Sequence, residues 1–331
     1  MSEMTVRKDL LSQLLYEAQS YRKFEDIEKL VENGMDFSMI PLQPLFVSLQ
    51  NTPSDQIAAI LPKLSSEQRQ ALRDLDLWSK DNLDPEAAFQ WMEIYSLCPS
   101  EEVVLEYVKS EDFLLSLKNQ FTVQTFDAEE PEYPEGNNYF ITEDNQLLIE
   151  YPEDFTMVNE LKSFIRRLYG DIGVENAYAF LFKMVVDSYQ IMEETVYQEK
   201  IERLRDFGFV DYYEALGLNS VFQKESQIDD FIKSKKGITG ALDAMSANQS
   251  LHSSSLISYQ TGLDNLKEAL NLVTDEVRQQ FLHFNFVRLV NGRMTLEDAL
   301  KSGSTAMTRV GNQTKESLEL GFDYVNKHFQ P

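Results

Sequence analysis

Residues 72–92, LRDLDLWSKDNLDPEAAFQWM, gather four aspartates and both tryptophans of the chain into one short stretch. Carboxylates at that density suit a divalent cation, and indoles suit a stacked ligand. The spacing argues against the cation. A calcium loop needs oxygen ligands at alternating positions, a central glycine and a terminal glutamate; here Trp78 stands in a ligand slot and no glycine occurs. Asp84-Pro85-Glu86 instead reads as a helix start: a capping aspartate, a proline at the first helical position, and an acid in the first turn. The run that follows puts Ala88, Trp91, Met92 and Tyr95 on one helical face. Trp78, at the end of the preceding helix, is placed to close the gap between the two. The stretch is expected to be a joint between helices.

Other chemistry-bearing residues are scattered. Glu193, Glu194, Tyr197, Arg203 and Asp206 share the polar half of one helical segment, and Glu199 with Arg203 has the favoured order for an ion pair. Acid–base work would need a partner brought from another element, and the Glu-x-x-His pairs of helical di-iron sites are absent. His252, His283 and His328 lie far apart, none at metal-binding spacing from a Glu or another His. His283, in FLHFNF, falls on an apolar face as a core histidine would. GSTAMTRVG at 303–311 lacks the lysine and spacing of a phosphate loop, and DFG at 206–208 has no accompanying kinase motifs. Cys98, before Pro99, has no basic neighbour in sequence and reads as a buried, inert thiol. No catalytic, cofactor-binding or metal-binding residue is assigned.

Composition narrows the classes further. Lys and Arg total 30 against 55 Asp and Glu, a net charge of −25, and such a field opposes nucleic acid and anionic lipid. The one local basic run is KSKK at 233–236. A single cysteine suits a reducing compartment. MSEMTVRKDLLSQLL lacks the apolar core and cleavage site of a signal peptide, and YAFLFKMVV at 178–186 is too short for a span and carries Lys183. A cytoplasmic protein without membrane insertion is expected.

The 331 residues include 43% hydrophobic residues, only 13 Gly and 10 Pro, which favours a large core of helices joined by short turns. Residues 9–31 have helical spacing, with Gly34 as the stop. Pro53, Ser65 with Gln68, Ser100 and Ser110 each open a short helix, so the front of the chain reads as an irregular, repeat-like helical array. Between Lys118 and Lys162 no Lys or Arg occurs, but eleven Asp and Glu do. DAEEPEYPEGNN at 127–138 reads as an exposed acidic loop, and YFITEDNQLLIEY at 139–151 as a hairpin around EDNQ. Helices are expected to resume at 154–169 and to continue as one long core helix over 174–207. Gly208 ends that helix, Phe209 packs back on it, and Asp211 with Glu214 starts the next. Residues 237–262 form a small-residue stretch expected to be mobile. Beyond it one long or two shorter helices are expected, then a cap at Thr295 and Asp298, and a terminal amphipathic helix.

The 72–92 stretch, the Glu193–Glu194 region and RLRDFGFVDYYEAL at 203–216, in this order, resemble a bacterial family of unknown function, chiefly delta-proteobacterial, over about 55–331. The resemblance implies a mostly helical cytoplasmic protein and carries no activity or ligand onto any residue. Separately, QIAAILPKLSSEQRQALRDL is similar to the helical superhelix at the front of magnesium-transporter cytoplasmic domains; the rest of such a protein is missing, so transport is not implied.

The expected protein is mainly α: an N-terminal helical array over 1–122, an acidic loop and β-hairpin insert over 123–153, and a C-terminal helical lobe over 154–331. Its expected role is non-enzymatic, a scaffold or interaction module that binds a protein partner, a basic one by charge, through Glu129, Glu130, Glu132 and Glu135. The alternative is a small-molecule or nucleotide sensor with a pocket between helical lobes near Tyr189, Tyr197, Arg203 and Tyr212.

Overall fold

The structure, a computed structural model, describes residues 24–32, 36, 37, 40, 42–222, 224–235 and 272–328. Among them are fourteen α-helices: α1 (Phe24–Glu32), α2 (Leu42–Leu49), α3 (Ser54–Ile60), α4 (Ser66–Asp76), α5 (Pro85–Ser96), α6 (Glu101–Val108), α7 (Glu111–Gln120), α8 (Val158–Ile172), α9 (Val174–Val186), α10 (Tyr189–Asp206), α11 (Tyr212–Leu218), α12 (Glu225–Lys235), α13 (Glu276–Leu296) and α14 (Ser304–His328). The strands are β1 (Trp78–Ser79), β2 (Asn82–Leu83), β3 (Thr122–Thr125), β4 (Tyr139–Ile141) and β5 (Leu147–Glu150). The fold is mainly α, as composition and capping pattern indicate. Gly34, the 237–262 stretch, His252 and the side chain of His283 lie outside the described residues.

Chain contacts divide the molecule into two units, residues 52–200 and the described residues before and after them. The cuts fall at 51/52 and 200/201.

The 52–200 unit begins as a series of capped helices. Ser65 and Gln68 exchange bonds at the start of α4, a complete capping box. Asp84 accepts from the Glu86 and Ala87 amides at α5, Ser100 from Val103 at α6, and Ser110 from Phe113 at α7. Each helix buries one stripe, and the stripes meet in an aromatic core. Tyr95 stacks on Tyr107 at 4.0 Å, Tyr107 meets Phe113 edge-on at 5.0 Å, and Phe113 meets Phe164 of α8 at 6.0 Å.

Between α4 and α5 the chain forms a two-stranded hairpin that the sequence does not announce. Trp78 pairs with Leu83 and Ser79 with Asn82, and Lys80 takes positive φ, 61°, in the turn. The expected 139–151 hairpin is present as β4 and β5 with Asn145 at φ 57°, and β3 joins it to give the order β3-β5-β4, antiparallel throughout. The expected single helix over 174–207 is two, α9 and α10. Asp187 ends α9 in extended backbone, and the Ser188 hydroxyl accepts from the Ile191 amide at 3.4 Å to start α10.

In the other unit α1 packs on α2, and α13 packs on α11 and α14. All eight residues of α2 are buried. The side chain of Gln43 donates to Asn291 of α13, and Asn291 donates to the Gly208 carbonyl at 2.9 Å. Gly292 permits the close approach of α13 to α11: a Cβ there would lie 3.1 Å from Val210 and 3.6 Å from the Ala215 backbone. α10 ends as expected, with Gly208 at φ 78° and the Phe209 amide bonded back to the Leu204 carbonyl at 3.1 Å. Asp211 caps α11, but Glu214 pairs with Arg288 of α13 instead of completing a capping box. Thr295 and Asp298 do not open a helix. They lie at the end of α13, where the Thr295 hydroxyl donates to the Val210 and Asn291 carbonyls.

Candidate functional site

The residues of 72–92 resolve into structural roles. Trp91 Nε1 donates to Asp76 at 2.9 Å, Gln70 donates to Asp74 at 3.1 Å, Asn82 donates to Asp81 at 3.0 Å, and Asp84 caps α5. Among the described residues no group of three or more His, Cys, Asp or Glu side chains is arranged to hold a metal ion. Cys98 is half-buried rather than buried, and burial pushes its thiol above the ordinary value, which lowers its thiolate fraction.

Beneath this stretch lies a polar cluster that the sequence reading missed. Arg73 is 1% exposed, and its Nε donates to Asp112 at 2.7 Å. The same guanidinium donates to the Tyr95 hydroxyl and to Gln70, and it lies 5.4 Å from the centroids of both the Tyr95 and Tyr107 rings. Burial alone would favour neutral forms. The adjoining opposite charge outweighs it, holding Arg73 charged and Asp112 below the usual carboxylate range.

Tyr189 and Tyr197 come together against the β1–β2 hairpin. Glu193 Oε1 accepts from the Tyr189 hydroxyl at 2.8 Å and from the Leu83 amide at 3.3 Å. Tyr197 meets Trp78 at 5.3 Å, with Lys200 Nζ 5.1 Å from the Trp78 ring and 4.8 Å from the Tyr197 ring. Burial, and then Glu193, push the Tyr189 phenol up. These side chains clamp the hairpin to α10. Arg203 and Tyr212 belong to the other unit; both are half-buried, Arg203 near the end of α10 and Tyr212 edge-on to Tyr213 at 5.6 Å.

The acidic insert is built on the three-stranded sheet. The strand registers put Phe126, Leu148 and Tyr139 on one sheet face. The loop crosses this face as an arch, with the Tyr133 ring 5.6 Å from Phe126 and 5.8 Å from Tyr139. Asp127 accepts from the Glu129 amide at 2.8 Å, which shapes the start of the arch. At the other end, Asn138 and Tyr151 bond to each other's backbone. The acids of the β4–β5 turn are engaged: Arg166 donates to Glu143 at 2.8 Å and Tyr169 to Asp144 at 2.9 Å. Glu129, Glu130, Glu132 and Glu135 are all exposed and form no ion pair with a described residue. Tyr133, among them, keeps 55% of its surface exposed.

Fold and site together define a mainly helical protein with a small sheet that carries an acidic loop. The chain belongs to the family of unknown function DUF6178, which matches residues 9–328 and so takes in α1 and α2, ahead of the position near 55 where the resemblance was expected to begin. No curated protein and no solved structure matches the chain.

Proposed function

We propose that the protein is a non-enzymatic interaction module that docks a basic partner protein on the acidic arch between β3 and β4. The observation that carries this reading is the set Glu129, Glu130, Glu132 and Glu135, exposed and without an ion pair to any described residue, on a loop seated on the sheet by a half-exposed tyrosine. Like charges fixed on one short arch raise local potential, which accelerates and orients encounter with a positive surface. An exposed aromatic among them supplies the apolar contact that charge alone does not. No described helix is long and apolar enough to cross a membrane, in keeping with a partner met in solution. A reducing cytoplasm suits the single cysteine.

The test is affinity capture from native-host lysate at low and high salt, with a variant carrying Gln at 129, 130, 132 and 135 alongside. The expected result is one near-stoichiometric basic partner, released by salt and lost with the variant, at unchanged melting temperature. A complex retained by the variant at either salt would remove the arch from the interface.

A further inference from the structure

α9, VENAYAFLFKMVV, has one glutamate and one lysine among its thirteen residues, yet only Ala177, Leu181 and Met184 are buried. Spaced three and four apart, these form the face with which α9 packs on α7, α8 and β3. Val174, Tyr178, Phe182 and Val186 stand at intervals of four, which draws a second, apolar ridge along the same helix. The Tyr178 and Phe182 rings stack at 5.2 Å between centroids. Both are half-buried, and the ends of the ridge are open: Val174 is 53% and Val186 61% exposed. Ridges of this spacing are what helices seat in one another's grooves, and a contiguous apolar row left in water marks an interaction site.

The charges around the ridge select what covers it. Lys183 is taken by Glu111 at 2.6 Å, and Lys118 of α7 donates to the Met184 carbonyl. Glu175, in the first turn, and Asp187, directly after the last, form no ion pair or side-chain hydrogen bond with a described residue. Glu175 lies seven positions before Phe182 and so on the ridge's side. From 175 to 187 the helix axis runs about 18 Å. A second copy on this ridge would set acid on acid. Antiparallel, with Tyr178 over the second copy's Phe182, Glu175 comes within about 3 Å along the axis of the second copy's Asp187; parallel, each acid meets its own counterpart. Either arrangement adds to the repulsion between two chains of net charge −25, whereas a helix with cationic ends turns it into attraction. We propose that α9 is a docking surface for an amphipathic helix of another protein, whose apolar row lies along Val174, Tyr178, Phe182 and Val186 and whose Lys or Arg residues, about twelve positions apart, meet Glu175 and Asp187. The surface is separate from the arch between β3 and β4 and does not depend on it.

The test uses the full chain and a labelled alanine-based helical peptide of about 18 residues, with Leu at intervals of four and Arg at both ends, followed by fluorescence anisotropy. Saturable binding is expected, about tenfold weaker when the Arg residues are exchanged for Glu. Val174→Gln together with Val186→Gln should weaken it by about tenfold or more, and because both valines are exposed the melting temperature should hardly move. Glu175→Gln with Asp187→Asn should weaken binding at low salt and flatten its salt dependence. The variant with Gln at 129, 130, 132 and 135 should bind the peptide as the native chain does. No binding at about 1 mM peptide, binding indifferent to the valine pair, or equal binding of the Arg and Glu peptides overturns the proposal. Loss of binding in the arch variant would move the peptide to the arch and overturn it as well. A concentration-dependent dimer in sedimentation, abolished by the valine pair, would put a second copy on the ridge in place of the partner helix.

Discussion

At the scale of single residues, the Arg73–Asp112 pair is the most consequential contact in the 52–200 unit. Both side chains are almost fully buried, at 1% and 3% exposure. Each charge was taken from water at a cost that the other offsets, together with the Tyr95 hydroxyl, Gln70 and Ser110. Asp112→Ala should therefore destabilise by about 3–5 kcal/mol, because it strands a buried guanidinium, whereas Arg73→Met with Asp112→Leu should recover most of that loss; urea unfolding of the three variants decides it. The pair also sets a pH response. Asp112 has a depressed folded pKa, so its contribution is present above the ordinary carboxylate value of about 4 and is lost as pH falls below it. Tyr95 runs the opposite way: burial pushes it up to about 12, so its contribution is complete below the unfolded value of about 10 and is lost as pH climbs to about 12. Melting temperature should decline across that alkaline window, and Tyr95→Phe should flatten the decline. None of this was legible in the sequence. Arginine is seldom buried, and its partner lies 39 positions away with no local pattern joining them.

At the scale of elements, legibility follows the range of the interaction. The caps at Ser65, Asp84, Ser100, Ser110 and Asp211 were readable because each bonds an amide two or three residues ahead. The Gly208 stop was readable for the same reason. The break at Asp187-Ser188 carried its own capping serine, but apolar spacing continues through it and masks the signal. Thr295 has cap-like chemistry but spends its hydroxyl on a carbonyl across the structure, so the same residue type marks a helix end. The β1–β2 hairpin escaped notice because two-residue strands have no periodicity to detect. Asp84→Ala should cost about 1 kcal/mol, and Gly208→Ala, at φ 78°, about 1–2 kcal/mol. Both should appear as lowered urea midpoints with unchanged slope. The acidic arch was legible as charge and exposure; its seat on the sheet through Tyr133 was not, since Phe126 and Tyr139 become neighbours only once β5 separates their strands.

At the scale of the whole molecule, a net charge of −25 opposes compaction, and added salt screens it. Melting temperature should therefore rise with sodium chloride between low and physiological ionic strength, while any complex made through the arch weakens over the same range. The order of the chain has another consequence. Every residue of α2 is buried, and Gln43 finds its partner, Asn291, 248 positions later. At about 5–20 residues per second, the ribosome releases this apolar helix roughly 12 to 50 s before that partner is made. The 52–200 unit can fold in the interval, but Leu42–Leu49 must wait. A nascent chain stalled near residue 220 should accordingly be cut within 42–49 by a protease that spares 52–200, and release of the full chain should close that window. Birth order thus leaves a helix that is wholly buried in the finished protein exposed through much of its synthesis, where a chaperone would shield it.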